Sequence, residues 1–141
     1  MINLKLVLAL KIFITVTAWC IPLLTFPAQW FVFLGFPAPQ PEVFVRLLGT
    51  AYSALVVGYV IGYRKEQAGI YPSEAVWVGI ASNGGATVVL IVCAFLGAWS
   101  AWGPLAQAYM WLSLASVALI TVGLVIRGPC NNYSRISTKA S

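Results

Sequence analysis

The chain contains no histidine, three acidic residues and three cysteines in 141 residues, and only 8% of it is charged. Without histidine it lacks the usual haem and chlorophyll ligand, the commonest metal ligand and the usual general base. The acids Glu42, Glu66 and Glu74 all lie outside the long apolar runs. Proton- or cation-coupled transport generally uses a carboxylate inside the membrane, so coupled transport has no obvious ion site here, and paired-carboxylate hydrolysis is unsupported for the same reason. Cys20, Cys93 and Cys130 are far apart in sequence and form no CxxC pair. A quinone-linked dithiol and the usual cysteine or carboxylate metal sites therefore lack their residues. A soluble domain carries roughly a quarter charged residues, which excludes an ordinary water-soluble globule.

Apolar residues make up 61% of the chain, and the mean hydropathy is +0.92. A helix needs about 20 apolar residues to cross a bilayer. The pattern predicts one all-α transmembrane domain, residues 1–141: a four-helix bundle with spans at about 4–26, 43–63, 74–98 and 104–126, an interfacial aromatic segment at 27–41 and a short tail at 127–141. Pro41-Glu42 opens the second span, since proline at a helix start loses only an unbonded N–H and a glutamate there suits the dipole. A cleaved signal peptide is the rival reading of the first span, but Phe26-Pro27-Ala28 is a poor small-x-small cleavage site, which favours an uncleaved helix.

The basic residues set the expected orientation. Lys5, Lys11, Arg64, Lys65, Arg127, Arg135 and Lys139 fall on the side shared by both termini, and Arg46 falls on the other. By the positive-inside rule both termini are cytoplasmic, in a bacterial inner membrane or the equivalent compartment of an organelle. The net charge of +5 is then orientation bias and not a nucleic-acid footprint. Trp30, Trp99, Trp102 and Tyr109 mark one headgroup level, and Tyr63, Tyr71 and Trp77 mark the other.

Few residues are candidates for function. Arg46 follows Glu42 by four residues, so the two can pair on one helix face, with the arginine stem snorkelling toward the headgroups. The sharper reading makes Glu42 and Arg46 a binding point for a lipid head, a quinone carbonyl or a partner's carboxylate. Lys11 sits about two turns into the first span, and snorkelling to the cytoplasmic face accounts for it. Thr50, Ala54, Gly58 and Gly62 recur at four-residue steps and predict a smooth helix-packing stripe. Gly84 and Gly85, inside the small-residue window Gly79–Thr87, predict close packing, a kink or a ligand against the backbone. Asn83 lies about 12 Å inside the third span by helical rise and needs a hydrogen-bond partner, expected across a helix interface. Trp30 and its aromatic neighbours belong to a hooked interfacial segment, with a short helix near Trp30 to Leu34 and exposed rings suited to a partner subunit.

The Leu34-Gly35-Phe36-Pro37 turn, the Arg46-Leu47-Leu48-Gly49 stretch and the small-residue second helix resemble the DoxX-like and DUF4345-like group of small four-helix membrane proteins. The resemblance runs from Leu34 to Tyr63 and makes Arg46 and Gly49 helix-two positions of the family. It implies architecture more than activity, although some members of that group are subunits of membrane oxidoreductases.

The expected function is that of a non-catalytic accessory or assembly subunit of a larger membrane complex, of respiratory, photosynthetic or oxygenase type. No catalytic residue, no metal and no cofactor of its own is expected, beyond a bound lipid, quinone or pigment. The expected partners are membrane lipids and that complex. Two rivals remain. One is a small homo-oligomeric channel or transporter lined by Asn83, Thr87, Ser113, Ser116 and Tyr59. The other is a quinone-linked oxidoreductase subunit using Cys20 and Cys93.

Overall fold

The computed structural model describes residues 3–129; Cys130, Arg135 and Lys139 lie outside the described residues. Among the described residues four helices are long and apolar enough to cross a membrane: Leu4–Thr25, Glu42–Gln67, Ser73–Phe95 and Pro104–Arg127. The first is composite, with α1 (Leu4–Ile14), a π-helical stretch (Thr15–Cys20) and α2 (Ile21–Thr25) in continuous succession. A short α3 (Ala28–Phe33) follows, then α4 (Glu42–Gln67), α5 (Ser73–Phe95) and α6 (Pro104–Arg127). The short helix expected near Trp30 to Leu34 lies two residues earlier, because Pro27 takes the N-cap position.

Asn3 starts α1 by accepting the Leu6 N–H on its side-chain oxygen, which satisfies one of the unbonded N–H groups of the first turn. Pro104 starts α6 with Gly103 as its cap. Gly97, at φ +66, ends α5 near residue 95, three residues earlier than its hydropathy alone indicates. Gly69, at φ +75, lets α4 run on to Gln67, past the apolar run.

The helices close an up-and-down ring. The first span packs against α4 and α6, α4 also against α5, and α5 also against α6. One end of the bundle holds the start of α1, the α4–α5 connection and the end of α6; it is termed the tail end. The other, the hook end, holds α3 and the α5–α6 connection. The apolar core is concentrated toward the tail end, where Leu4, Val7, Leu8, Val76, Ile120 and Leu124 form one cluster. Close approach of α4 and α5 there depends on Gly62, where a Cβ would collide with that of Ala75. The hook end is held differently. Gly35, at φ +88, lies against Gly103, whose N–H donates to the Gly35 carbonyl at 2.8 Å. The outer face of the bundle is rich in exposed Leu, Val, Ile and Phe.

Candidate functional site

The π-helical stretch has a local cause. Pro22 has no N–H to offer the carbonyl four residues back, Ala18, so the helix cannot close normally there. The Tyr109 hydroxyl of α6 donates to that carbonyl instead. The wider turn carries Thr15 and Trp19 on its inner side. Trp19 packs against Tyr52 and Tyr109, with ring centroids 5.6 and 5.7 Å away.

Below this aromatic group, toward the tail end, is a cavity of about 250 Å³. Lys11, Thr15, Tyr59, Ser82 and Asn83 supply its polar lining. Lys11 is only 2% exposed, and its ammonium nitrogen lies 4.2 Å from the centre of the Tyr59 ring. The sequence reading had Lys11 snorkelling outward, and the structure corrects this: the side chain is enclosed by the bundle. Gly79 of α5 lets Leu124 pack close, since a Cβ there would come 2.7 Å from Leu124 Cδ1, while Lys11 Cε would stand at an ordinary 3.6 Å.

The same turn of α5 places the other polar groups. Asn83, 7% exposed, donates its Nδ2 to the Gly79 carbonyl at 2.7 Å. Its partner is thus its own helix, not a neighbouring one as the sequence led one to expect. Thr87 in turn donates to the Asn83 carbonyl. Ser82 and the Tyr59 hydroxyl join α5 to α4 at 2.8 Å.

Lys11 is the unusual member. Among the described residues the ion pairs are Arg46 with Glu42 and Lys65 with Glu74, and neither involves Lys11. Taking an ammonium out of water costs several kcal/mol even after relaxation. A desolvated cation–π contact returns about 2 kcal/mol, so the Tyr59 ring alone does not offset that cost. The rest of that cost falls to a further group against the amine, and no carboxylate among the described residues supplies it.

Arg46 is already occupied. Its guanidinium donates to the carbonyls of Leu23 at 2.8 Å and Phe26 at 2.7 Å, and it meets Glu42 at 3.8 Å. It therefore closes the C-terminal end of the first span, where helix carbonyls lack partners. Glu42 is exposed beside it.

A second cavity, of about 400 Å³, lies at the hook end and is almost wholly apolar; its walls include Phe26, Phe31, Phe36, Trp102 and Tyr109. Trp19 lines both cavities. Trp30 points elsewhere, half exposed and edge-on to Phe26 at 5.0 Å.

The expected packing stripe is only partly an interface within the bundle. Gly62 is buried, whereas Thr50, Ala54 and Gly58 face outward, with no atom within 4 Å of where a Gly58 Cβ would stand. Steps of four residues drift by about 40° each at 3.6 residues per turn, so Thr50 and Gly62 lie about 120° apart on the helix. A Cβ on Gly84 would meet Thr121 Cγ2 at an ordinary 3.7 Å, and one on Gly85 would meet nothing within 4 Å. Gly49, alongside the stripe, is where α4 meets the first span at Leu23 and Leu24.

Cys20 and Cys93 are both free thiols, and no metal-binding cluster of His, Cys, Asp or Glu occurs among the described residues. No family model, no curated protein and no solved structure matches the chain.

Proposed function

We propose that the chain is an integral membrane protein with cytoplasmic termini that serves as a non-catalytic accessory or assembly subunit of a larger membrane complex. The observation that carries this reading is the outward face of α4. Thr50, Ala51, Ala54 and Gly58 give a run of small exposed residues about 12 Å long on a helix whose other exposed positions include Val43, Phe44, Leu47, Leu48, Val57 and Ile61. In a bilayer apolar side chains gain little by leaving lipid for protein, so helix association depends on close backbone approach, which small residues permit. The exposed Trp30 and Phe33 of the hook offer further contact area at the headgroup level.

The test is gentle solubilisation of native membranes, affinity isolation of the tagged full chain, native electrophoresis and mass spectrometry. Co-migration with one large complex at fixed stoichiometry is expected. A homogeneous small oligomer without partners would overturn the reading. The channel reading draws on the polar cavity holding Tyr59 and Asn83. It requires solute flux by the reconstituted chain alone, abolished in Asn83→Leu.

A further inference from the structure

The Lys11 cavity has features that the subunit reading leaves unused. Lys11, Thr15, Tyr59, Ser82 and Asn83 line its tail end, Trp19 and Tyr52 close its hook end, and Leu55, Val89 and Leu90 add apolar wall. Val89 is 60% exposed while also lining the cavity, so this one side chain stands between the space and the outer face of the bundle. Donors remain available at the polar end. The Lys11 ammonium has no ion-pair partner among the described residues. The Thr15 hydroxyl makes no hydrogen bond among them, and Asn83 uses one of its two amide protons on Gly79.

We propose that this cavity binds the carboxylate head of a single-chain fatty acid taken laterally from the bilayer, with the carboxylate on Lys11 and the acyl chain leaving past Leu55 and Val89. A carboxylate is favoured over a neutral carbonyl because it carries the full negative charge that the buried ammonium lacks. A single chain is favoured because a cavity of about 250 Å³ leaves no room for a glycerophosphate head with two chains. Arg46 does not compete for this head, since its guanidinium is bonded to Leu23 and Phe26. The inference rests on membrane insertion but not on docking to a partner complex.

The experiment is equilibrium binding of radiolabelled palmitate to the purified full chain in nanodiscs of zwitterionic lipid, with hexadecanol as the uncharged analogue of equal length. Saturable palmitate binding is expected, with hexadecanol about tenfold weaker or more. Lys11→Met should bring palmitate down to the level of the alcohol and leave the alcohol unchanged. Equal binding of acid and alcohol by the wild-type chain would overturn the proposal, as would an unchanged preference in Lys11→Met. Displacement of palmitate by a long-chain quinone at equal concentration would also overturn it, because a quinone supplies no charge. If Lys11→Met does not fold, a palmitate analogue with a photoreactive group beside the carboxylate decides on the wild-type chain. Labelling of Thr15, Tyr59 or Asn83 supports the site, and labelling confined to outward-facing residues rejects it. A chain that binds palmitate yet migrates alone would separate this proposal from the subunit reading.

Discussion

Replacing Arg46 by methionine keeps most of the side-chain volume and removes the guanidinium. Two charge-assisted hydrogen bonds to Leu23 and Phe26 are then lost, together with the contact to Glu42 at 3.8 Å. Hydrogen bonds to charged groups contribute about 1.5–3 kcal/mol each. Both carbonyls sit at the end of a helix, where water can replace part of the loss, so the expected cost is about 2–4 kcal/mol. The Glu42 contact is half-exposed and long, and belongs with surface ion pairs at about 0–1 kcal/mol. Glu42→Gln should therefore cost about 0.5 kcal/mol or less. Arg46→Lys, with one compact ammonium in place of a planar fork, should restore at most one of the two carbonyl bonds. Reversible unfolding in mixed micelles, followed by circular dichroism, measures all three variants. The reasoning fails if Arg46→Met and Glu42→Gln cost the same, since the ion pair would then be the main interaction of Arg46.

Gly35→Ala should destabilise by about 2 kcal/mol or more, because the residue is held at φ +88 and its Cβ would come 2.7 Å from Gly103 Cα. Gly69→Ala meets open space at φ +75, so backbone strain alone should limit its cost to about 1–2 kcal/mol, and thermal unfolding of the pair separates strain from contact. Tyr71, in the α4–α5 connection, has a buried hydroxyl with no partner among the described residues. Burial, and secondarily the Glu66 carboxylate, push its pKa above the ordinary range. Because the folded state prefers the neutral phenol, this contribution is fully present below the unfolded pKa of about 10 and is lost as pH rises through the folded value. Unfolding measured from pH 9 to 11 should show stability falling with pH, and Tyr71→Phe should make that fall shallower while leaving neutral-pH stability unchanged or raised.

The helices were legible because hydropathy, Pro104 and Pro41-Glu42 all mark the same boundaries, and four apolar runs have few ways to pack. Helix ends set by backbone conformation were less so: Gly97 and Gly69 look like any other glycine until their positive φ is seen. Which way a side chain points was the harder question. Lys11 stands within reach of the tail end by length alone, and nothing local to it says that its ammonium lies against the Tyr59 ring of another helix inside the bundle. Depth gave a usable signal, since Lys11, Tyr59 and Asn83 each lie roughly 10–15 Å from the tail-end terminus of their helices by helical rise. Arg46 was read through its sequence neighbour Glu42, while its strongest partners, Leu23 and Phe26, come from the preceding span. The π-helical stretch follows from Pro22 in hindsight, but a proline kink and a π turn share the same sequence mark.

The outward face of α4 is the feature on which the functional reading rests. The most direct measurement is native electrophoresis of tagged wild-type and Gly58→Ile chains from the same mildly solubilised membranes, with thermal unfolding of both as the control for folding. The open space at Gly58 means that isoleucine should leave the bundle itself intact. The account predicts that the variant unfolds like the wild type yet leaves the large complex and migrates as a small species. A Gly58→Ile chain that stays in the complex undiminished would contradict it.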